Sequence, residues 1–321
     1  MRKLIAFLLS VTAIVACTSP GNDSFVLIDR LDIAIFDYSS MPKHSRDSVN
    51  ATFGTEIKAL QFLYSDSSST DSFLLALSTS SAYKIFVPEI ERSFPNLDSL
   101  QRDLGEIKDR FSALLPDVKF PHCAAIVSPF RQSVFKVDSI LLIGMNHYLG
   151  ENHAAYDGFE SFERATKQSR RVPFEVASAI IADNYPYSSA AESTVLSRLL
   201  YVGACLVATE KTIPDFSVKT ALGWSDEQLK WAEVNEKNAW NALIERNMLF
   251  STDQQIADRM TLPSPSTTIL HRDSPGQMGS YIGYKVVKSY VNEYPQTKLT
   301  DLLSPTFYND INTLSKAKYA P

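Results

Sequence analysis

Cys17 has the setting that most directly specifies chemistry. It closes the string Ile14-Val15-Ala16-Cys17, a branched residue followed by small ones and then Cys, which is the pattern of a bacterial lipobox whose Cys is acylated before cleavage. Arg2 and Lys3 supply a positive start, and residues 4–15 form an uncharged apolar run. That run suits a signal peptide and is short of the ~20 apolar residues a membrane span requires. Residues 1–16 are therefore expected to be a lipoprotein signal peptide, with Cys17 as the lipid-carrying N-terminus. Three acyl chains on one Cys exceed the two signals needed for stable anchoring. Thr18 follows the Cys, so no Asp at that position argues for retention at an inner membrane, and the outer membrane is the expected destination. Residues 17–24 are small and polar and read as a tether.

The other reactive residue types fall into no catalytic set. There is no GxSxG and no GxxxxGK[ST], which removes the nucleophile elbow and the P-loop at motif level. The five histidines are His44, His122, His147, His153 and His271. Only His147 and His153 lie close in sequence, and a spacing of six across a Gly suits no ligand pair on a helix or strand. Ordinary surface or structural histidines fit all five better. Phe174-Glu175-Val176-Ala177-Ser178 puts a Glu where HExxH places its base, but Phe and Ser stand in both ligand positions. No metal or other cofactor is expected. Glu233 and Glu236 resemble paired acids, yet KWAEVNEK reads as a solvated helix face. Cys123 and Cys205 could pair in an oxidising compartment, but the apolar contexts HCAAIV and VGACLVA favour two buried free thiols.

Elements must position whatever these residues do. Residues 25–37 alternate loosely and are rich in Ile, Val and Phe, which predicts an early strand. Residues 49–63 and 97–115 carry apolar residues at helical spacing. Residues 65–72 are rich in Ser and Asp and read as a loop. Residues 122–149 hold CAAIVS, SVFKVD and SILLIGM, two or three strands expected to join the early one in a small antiparallel sheet. Beyond residue 155 the pattern is helical: 171–184, 192–209, and a short 215–222 that Gly223 can end. Ser225 and Gln228 signal a capping box for a long helix to about residue 247. A further helix spans 278–293, with Pro295 as its stop. Gly276, Gly279 and Gly283 are spaced for close helix packing rather than for a dinucleotide. The loop 262–275, with Pro263, Pro265 and Pro275, is long for a connector. The fold class is α+β, a mainly helical body with a small sheet in its N-terminal and central part. Residues 25–321 are expected to form a single globular domain.

Composition excludes other classes. The chain of 321 residues is 45% hydrophobic and 21% charged, with a net charge of −5. Those values suit a packed globular protein and, without a basic block, argue against a nucleic-acid partner.

The C-terminal third carries a distinctive string. It runs Trp231-x-x-x-Asn235-Glu236-x-x-x-Trp240, then Leu249-Phe250-Ser251-Thr252-Asp253, Arg259, Pro263 and Pro265. It ends Asp273-Ser274-Pro275-Gly276-x-x-Gly279-x-x-x-Gly283-Tyr284, with Tyr290 beyond. With the segment from Ile143 to Gly150, Tyr156, and Ile28-Asp29-Arg30-Leu31-Asp32 behind a lipobox, this resembles the GldB family of gliding-motility lipoproteins of the Bacteroidetes. The chain departs from that pattern at Gln277, where the family has Arg, at Tyr281 and Tyr284, usually Trp, and at Asn146, usually Asp, as in a divergent member. The resemblance implies a non-catalytic envelope lipoprotein, a scaffold or partner-binding subunit of a motility or secretion assembly. Its architecture would be zincin-like without the metal ligands. It makes Trp231, Asn235, Glu236, Trp240, Asp253, Arg259, Ser274, Pro275, Gly276, Gly279, Gly283, Tyr284, Tyr290 and Gly150 structural or partner-binding positions. The expected partners are the membrane, through the lipid, and envelope proteins. A degenerate zincin-like hydrolase and a peptide- or glycan-binding lipoprotein are the alternatives.

The lipobox reading yields a direct test. Cys17→Ser should leave a folded protein that no longer sediments with membranes after a high-salt wash. A variant that stays with the membrane fraction would show that something other than lipid holds it there.

Overall fold

A computed structural model describes residues 24–189 and 193–321. Cys17, most of the tether and the signal peptide lie outside the described residues. The chain opens with β1 (Ile28–Asp29), followed by α1 (Leu31–Asp37), α2 (Lys43–Thr52), α3 (Gly54–Leu63), α4 (Thr70–Thr79), α5 (Ser81–Ser93) and α6 (Asp98–Leu114). Three strands come next, β2 (His122–Ile126), β3 (Val134–Val137) and β4 (Ile140–Gly144). The rest is helical: α7 (Ser161–Arg164), α8 (Val172–Asn184), α9 (Val195–Thr212), α10 (Val218–Leu222) and α11 (Asp226–Glu245). It closes with α12 (Gln254–Thr261), α13 (Met278–Glu293), α14 (Leu299–Leu302), α15 (Pro305–Tyr308) and α16 (Asn312–Ala317). The architecture is α+β, and no described helix is long and apolar enough to cross a membrane.

The early strand is shorter than its composition suggests. Only Ile28 and Asp29 join the sheet; the chain then turns helical, because Leu31, Ile35 and Tyr38, at spacings of four and three, all reach the core. The sheet is mixed rather than antiparallel, in the order β1-β2-β4-β3. β1 and β4 both run parallel to β2, and β3 alone is antiparallel, paired with β4. Connections explain this. Six helices separate β1 from β2, long enough for a crossover, whereas Asp138 and Ser139 alone join β3 to β4. Asp138 has φ 51°, the left-handed geometry a two-residue hairpin demands. β4 is buried along its whole length and β2 in all but His122, which is why both read as continuous apolar runs.

Residues 65–93 hid two helices in a Ser/Thr-rich stretch. Ser69 and Ser80 act as N-caps, accepting from the amides of Ser72 and Tyr83, and Pro88 lies inside α5. Elsewhere the capping box of Ser225 and Gln228 is formed, and Gly223 ends α10 at φ 68°.

α9 is the hub of the helical part. It is apolar on nearly every side, and α6, α8, α12, α13 and α15 all pack on it. Its crossing with α13 brings backbone against backbone. A Cβ at Gly203 would overlap the carbonyl of Gly283, and one at Gly283 would overlap the carbonyl oxygen of Leu199. Gly279 repeats the device against α12, where a Cβ would lie 2.9 Å from the Met260 oxygen. Cys123 and Cys205 are free thiols, and burial pushes both up to about 12.

Gly283→Ala should therefore force α13 off α9 and destabilise the protein by about 2–3 kcal/mol, as overpacking does. Gly54→Ala, where nothing lies within 4 Å of the new methyl, should be neutral or stabilising by up to about 1 kcal/mol. Thermal melting of the two variants separates the outcomes; equal Tm values would refute the close-packed crossing.

Candidate functional site

Two buried polar centres hold most of the residues singled out by the sequence. The first is built on Glu175, in the first turn of α8, where Pro173 suits a helix start. Glu175 Oε2 accepts from Tyr148 Oη at 2.6 Å and from the Ser133 hydroxyl. Its Oε1 accepts from Arg171 Nε at 2.9 Å. Arg171 Nη1 in turn donates to the carbonyl oxygens of Thr220 and Ala221 at the end of α10, where cationic groups are favoured. The carboxylate thus ties the start of β3, the segment after β4 and α8 together. Burial, reinforced by the charge of Glu175, drives the Tyr148 phenol far above its usual range, so it stays a donor.

His147 and Lys167 lie beside this centre. His147 Nε2 is 3.2 Å from the Pro129 carbonyl oxygen and its Nδ1 is 3.5 Å from Lys167 Nζ. Burial, then the Lys167 charge, lower the imidazole to about 4. Burial also lowers Lys167, whose ammonium sits 5.4–5.7 Å from the centres of the Phe130 and Phe159 rings. Asn146 pins the end of β2 with a reciprocal pair, accepting from Ser128 N and donating to Ser128 O, both at 2.9 Å. An ionised Asp accepts only, so the donated half of this pair needs the Asn146 amide. Gly150 has φ 104°, a conformation that favours glycine. It borders a cleft of about 710 Å³ lined by Phe94, Tyr148, His153 and Gln168 among others.

The bonds around Glu175 are all internal to the protein. Both carboxylate oxygens are engaged by donors, whereas a general base must face a substrate proton. Ser133 is bonded to a carboxylate rather than to an imidazole base. The flanking positions that HExxH fills with ligands pack internally: Phe174 lies against Phe216, and Ser178 is 3.5 Å from the Thr209 hydroxyl.

The second centre gathers the C-terminal string. Glu236 Oε1 accepts from Tyr319 Oη at 2.8 Å and Oε2 from Tyr281 Oη at 3.4 Å, with Lys285 Nζ also 3.4 Å away. Glu233 is exposed, but Glu236 is mostly buried and does not belong to a solvated face. Trp240 packs edge-on against Tyr319, and Trp231 lies against His271. Asn235 bonds back to the Trp231 carbonyl, and Tyr290 stacks on Tyr294 and Phe307. Tyr284 is buried beside Phe216. Asp253 caps α12, and Arg259 is exposed on it.

The Pro-rich loop is folded in on itself. Ser266 bridges to Pro275, and the buried Thr267 hydroxyl donates to the Pro275 carbonyl oxygen and accepts from Met278 N at the start of α13. Ser274 is buried there. Trp224 Nε1 donates to Gly276 O at 2.8 Å, and Gln277 donates to Leu222 O at 3.0 Å. Trp224, Thr267 and Tyr319 belong to this centre although no motif named them. Trp224 stood out only by preceding the Ser225 cap.

One further cluster had no signal in sequence spacing. Asp29, Glu56 and His122 converge, with His122 Nε2 2.8 Å from Asp29 Oδ2 and 3.1 Å from Glu56 Oε1. They come from β1, α3 and β2, and the contact appears only when β1 pairs with β2.

A family model described as Gliding motility protein GldB matches residues 21–321. No curated protein and no solved structure matches the chain.

The buried His147 makes stability depend on pH. The folded protein keeps it neutral down to about pH 4, while the unfolded chain takes up a proton near 6.5. This contribution is complete above pH 6.5 and is lost as pH falls towards 4, reaching about 3 kcal/mol. His147→Gln should flatten the dependence of Tm on pH across that window, and an unaltered slope would show that other groups control it.

Proposed function

The chain belongs to the gliding motility protein GldB family, and we propose that it works as a non-catalytic envelope subunit that presents a partner-binding surface. In this reading Cys17 carries the lipid, residues 17–24 give reach, and residues 25–321 form one body held at the outer membrane. The observation that carries the non-catalytic part is the internal use of the motif's acids. Glu175 and Glu236, two mostly buried carboxylates within the matched residues, each hold several donors from different elements. Groups so engaged set the relative positions of helices rather than exchange protons with a substrate.

A partner needs a surface, and the β3 side of the sheet is the one we favour. β3 is the edge strand of the order β1-β2-β4-β3. Beside it a groove of about 610 Å³ runs along the end of α3, lined by Phe62, Leu63, Asp66, Phe135, Lys136 and Val137. Phe62 is 75% exposed. An edge strand next to an exposed aromatic residue suits addition of an extended segment from another protein. Conversion to a peptide- or glycan-binding role would instead use the polar cleft beside Tyr148.

Affinity capture of the native lipoprotein from solubilised envelopes should bring down components of the gliding or secretion machinery, and Phe62→Asp should lower their recovery several-fold. If no such component accompanies the wild-type protein, the assembly role fails. If Phe62→Asp recovers them equally, the surface lies elsewhere.

A further inference from the structure

We propose that Asp29, Glu56 and His122 form a binding site for a divalent transition-metal ion of the zinc class. The sheet register creates it. Ile28 pairs with Cys123 and Asp29 with Ala124, and side chains alternate between faces along a strand. Asp29, Ala124 and His122 therefore share one face, and α3 brings Glu56 to the same place. One imidazole nitrogen and two carboxylate oxygens lie within 4.8 Å of one another. The two separations from Nε2, 2.8 and 3.1 Å, lie a few tenths of an ångström inside the roughly 3.4 Å between neighbouring ligands of a tetrahedral site with bonds of about 2.1 Å, so a small outward shift of the side chains admits an ion.

The second observation is the state of Glu56. It is only 6% exposed, and among the described residues its carboxylate pairs with His122 alone. Its close neighbour is His122 Nε2, which already bonds Asp29 Oδ2 at 2.8 Å. One Nε2 proton facing two carboxylates is shared, and each receives only part of a bond. No Lys or Arg among the described residues forms an ion pair with either Glu56 or Asp29. Two carboxylates, one of them buried, with one shared donor are poorly compensated, and a dication shared with His122 compensates both. One nitrogen with two carboxylate oxygens suits zinc and its first-row neighbours better than calcium or magnesium, which take oxygen ligands. His122 is 42% and Asp29 22% exposed at the side chain, which leaves an entry path and room for water as further ligand. The bound ion would join β1, the first described element, to β2 and α3.

The test uses the untagged full chain in detergent, stripped with chelator and titrated with zinc chloride by calorimetry. One zinc per chain is expected. Glu56→Gln and His122→Ala should each weaken binding at least tenfold, since even losing an outer-shell partner costs 10–100-fold. His153→Ala, at a separate ion pair with Glu89, should bind as the wild type does. A footprint on the wild-type chain avoids reliance on variants that fold poorly. Zinc should protect His122, but not the exposed His271, from diethylpyrocarbonate as read by mass spectrometry. Absence of stoichiometric zinc in the wild type, undiminished binding by both variants, or unprotected His122 would each overturn the site.

Discussion

The crossing of α9 and α13 is the constraint on which the helical part depends. Two helices approach this closely only where neither backbone carries a side chain at the contact, and Gly203 and Gly283 meet that condition on both sides. Once α13 is seated, its other residues are committed. Lys288 reaches Glu210 on α9 at 2.8 Å, and Tyr281 and Lys285 turn to Glu236 on α11. Gly279 admits Met260 of α12, and the loop before α13 folds so that Thr267 caps its first turn. The same α9 supports α8, and so sets the height at which Glu175 meets Ser133 and Tyr148. A helix–helix distance fixed by two glycines therefore reaches both polar centres.

Those centres share one physical logic. A buried carboxylate is tolerated when every oxygen is engaged and is costly when not. Glu175 and Glu236 are satisfied by side chains far apart in sequence, so each acts as a joint that exists only in the folded arrangement. The direct partners of Glu175 span residues 133 to 171, and those of Glu236 span 281 to 319. Neutral amides complete the framework: Gln277 donates to the Leu222 carbonyl oxygen, and Asn146 both donates to and accepts from the Ser128 backbone. Glu56 differs, being buried with His122 Nε2, which also faces Asp29, as its one ion-pair partner among the described residues.

Much of this architecture could be read from residue order, for a local reason. The capping box at Ser225, the αL end at Gly223, and the helices near 97–115 and 278–293 are encoded within a few residues of themselves, so period and caps suffice. The apolar runs of β2 and β4 betray strands for the same reason. Signals weakened where two periods overlap, as in residues 25–37, where Leu31 and Ile35 serve a helix although the segment also alternates. They failed in residues 70–93, where Ser caps look like loop residues and Pro88 sits inside a helix.

The order of residues alone carried the lipobox-like string ending at Cys17, the α+β class, the Gly spacing of α13 and the likeness to a lipoprotein family, all properties of contiguous strings. Folding alone decided the mixed sheet, because strand direction depends on crossovers whose path no local pattern records. It also decided which acids are buried and by whom they are met. Glu175 and Glu236 looked like a stray base position and a solvated face until residues up to 83 positions away supplied their donors. Asp29 and His122 stand 93 positions apart, and only the pairing of β1 with β2 places them on one face beside Glu56. Long-range contacts of this kind are set by the packing of whole elements, and that information is spread over the chain rather than written at any one site.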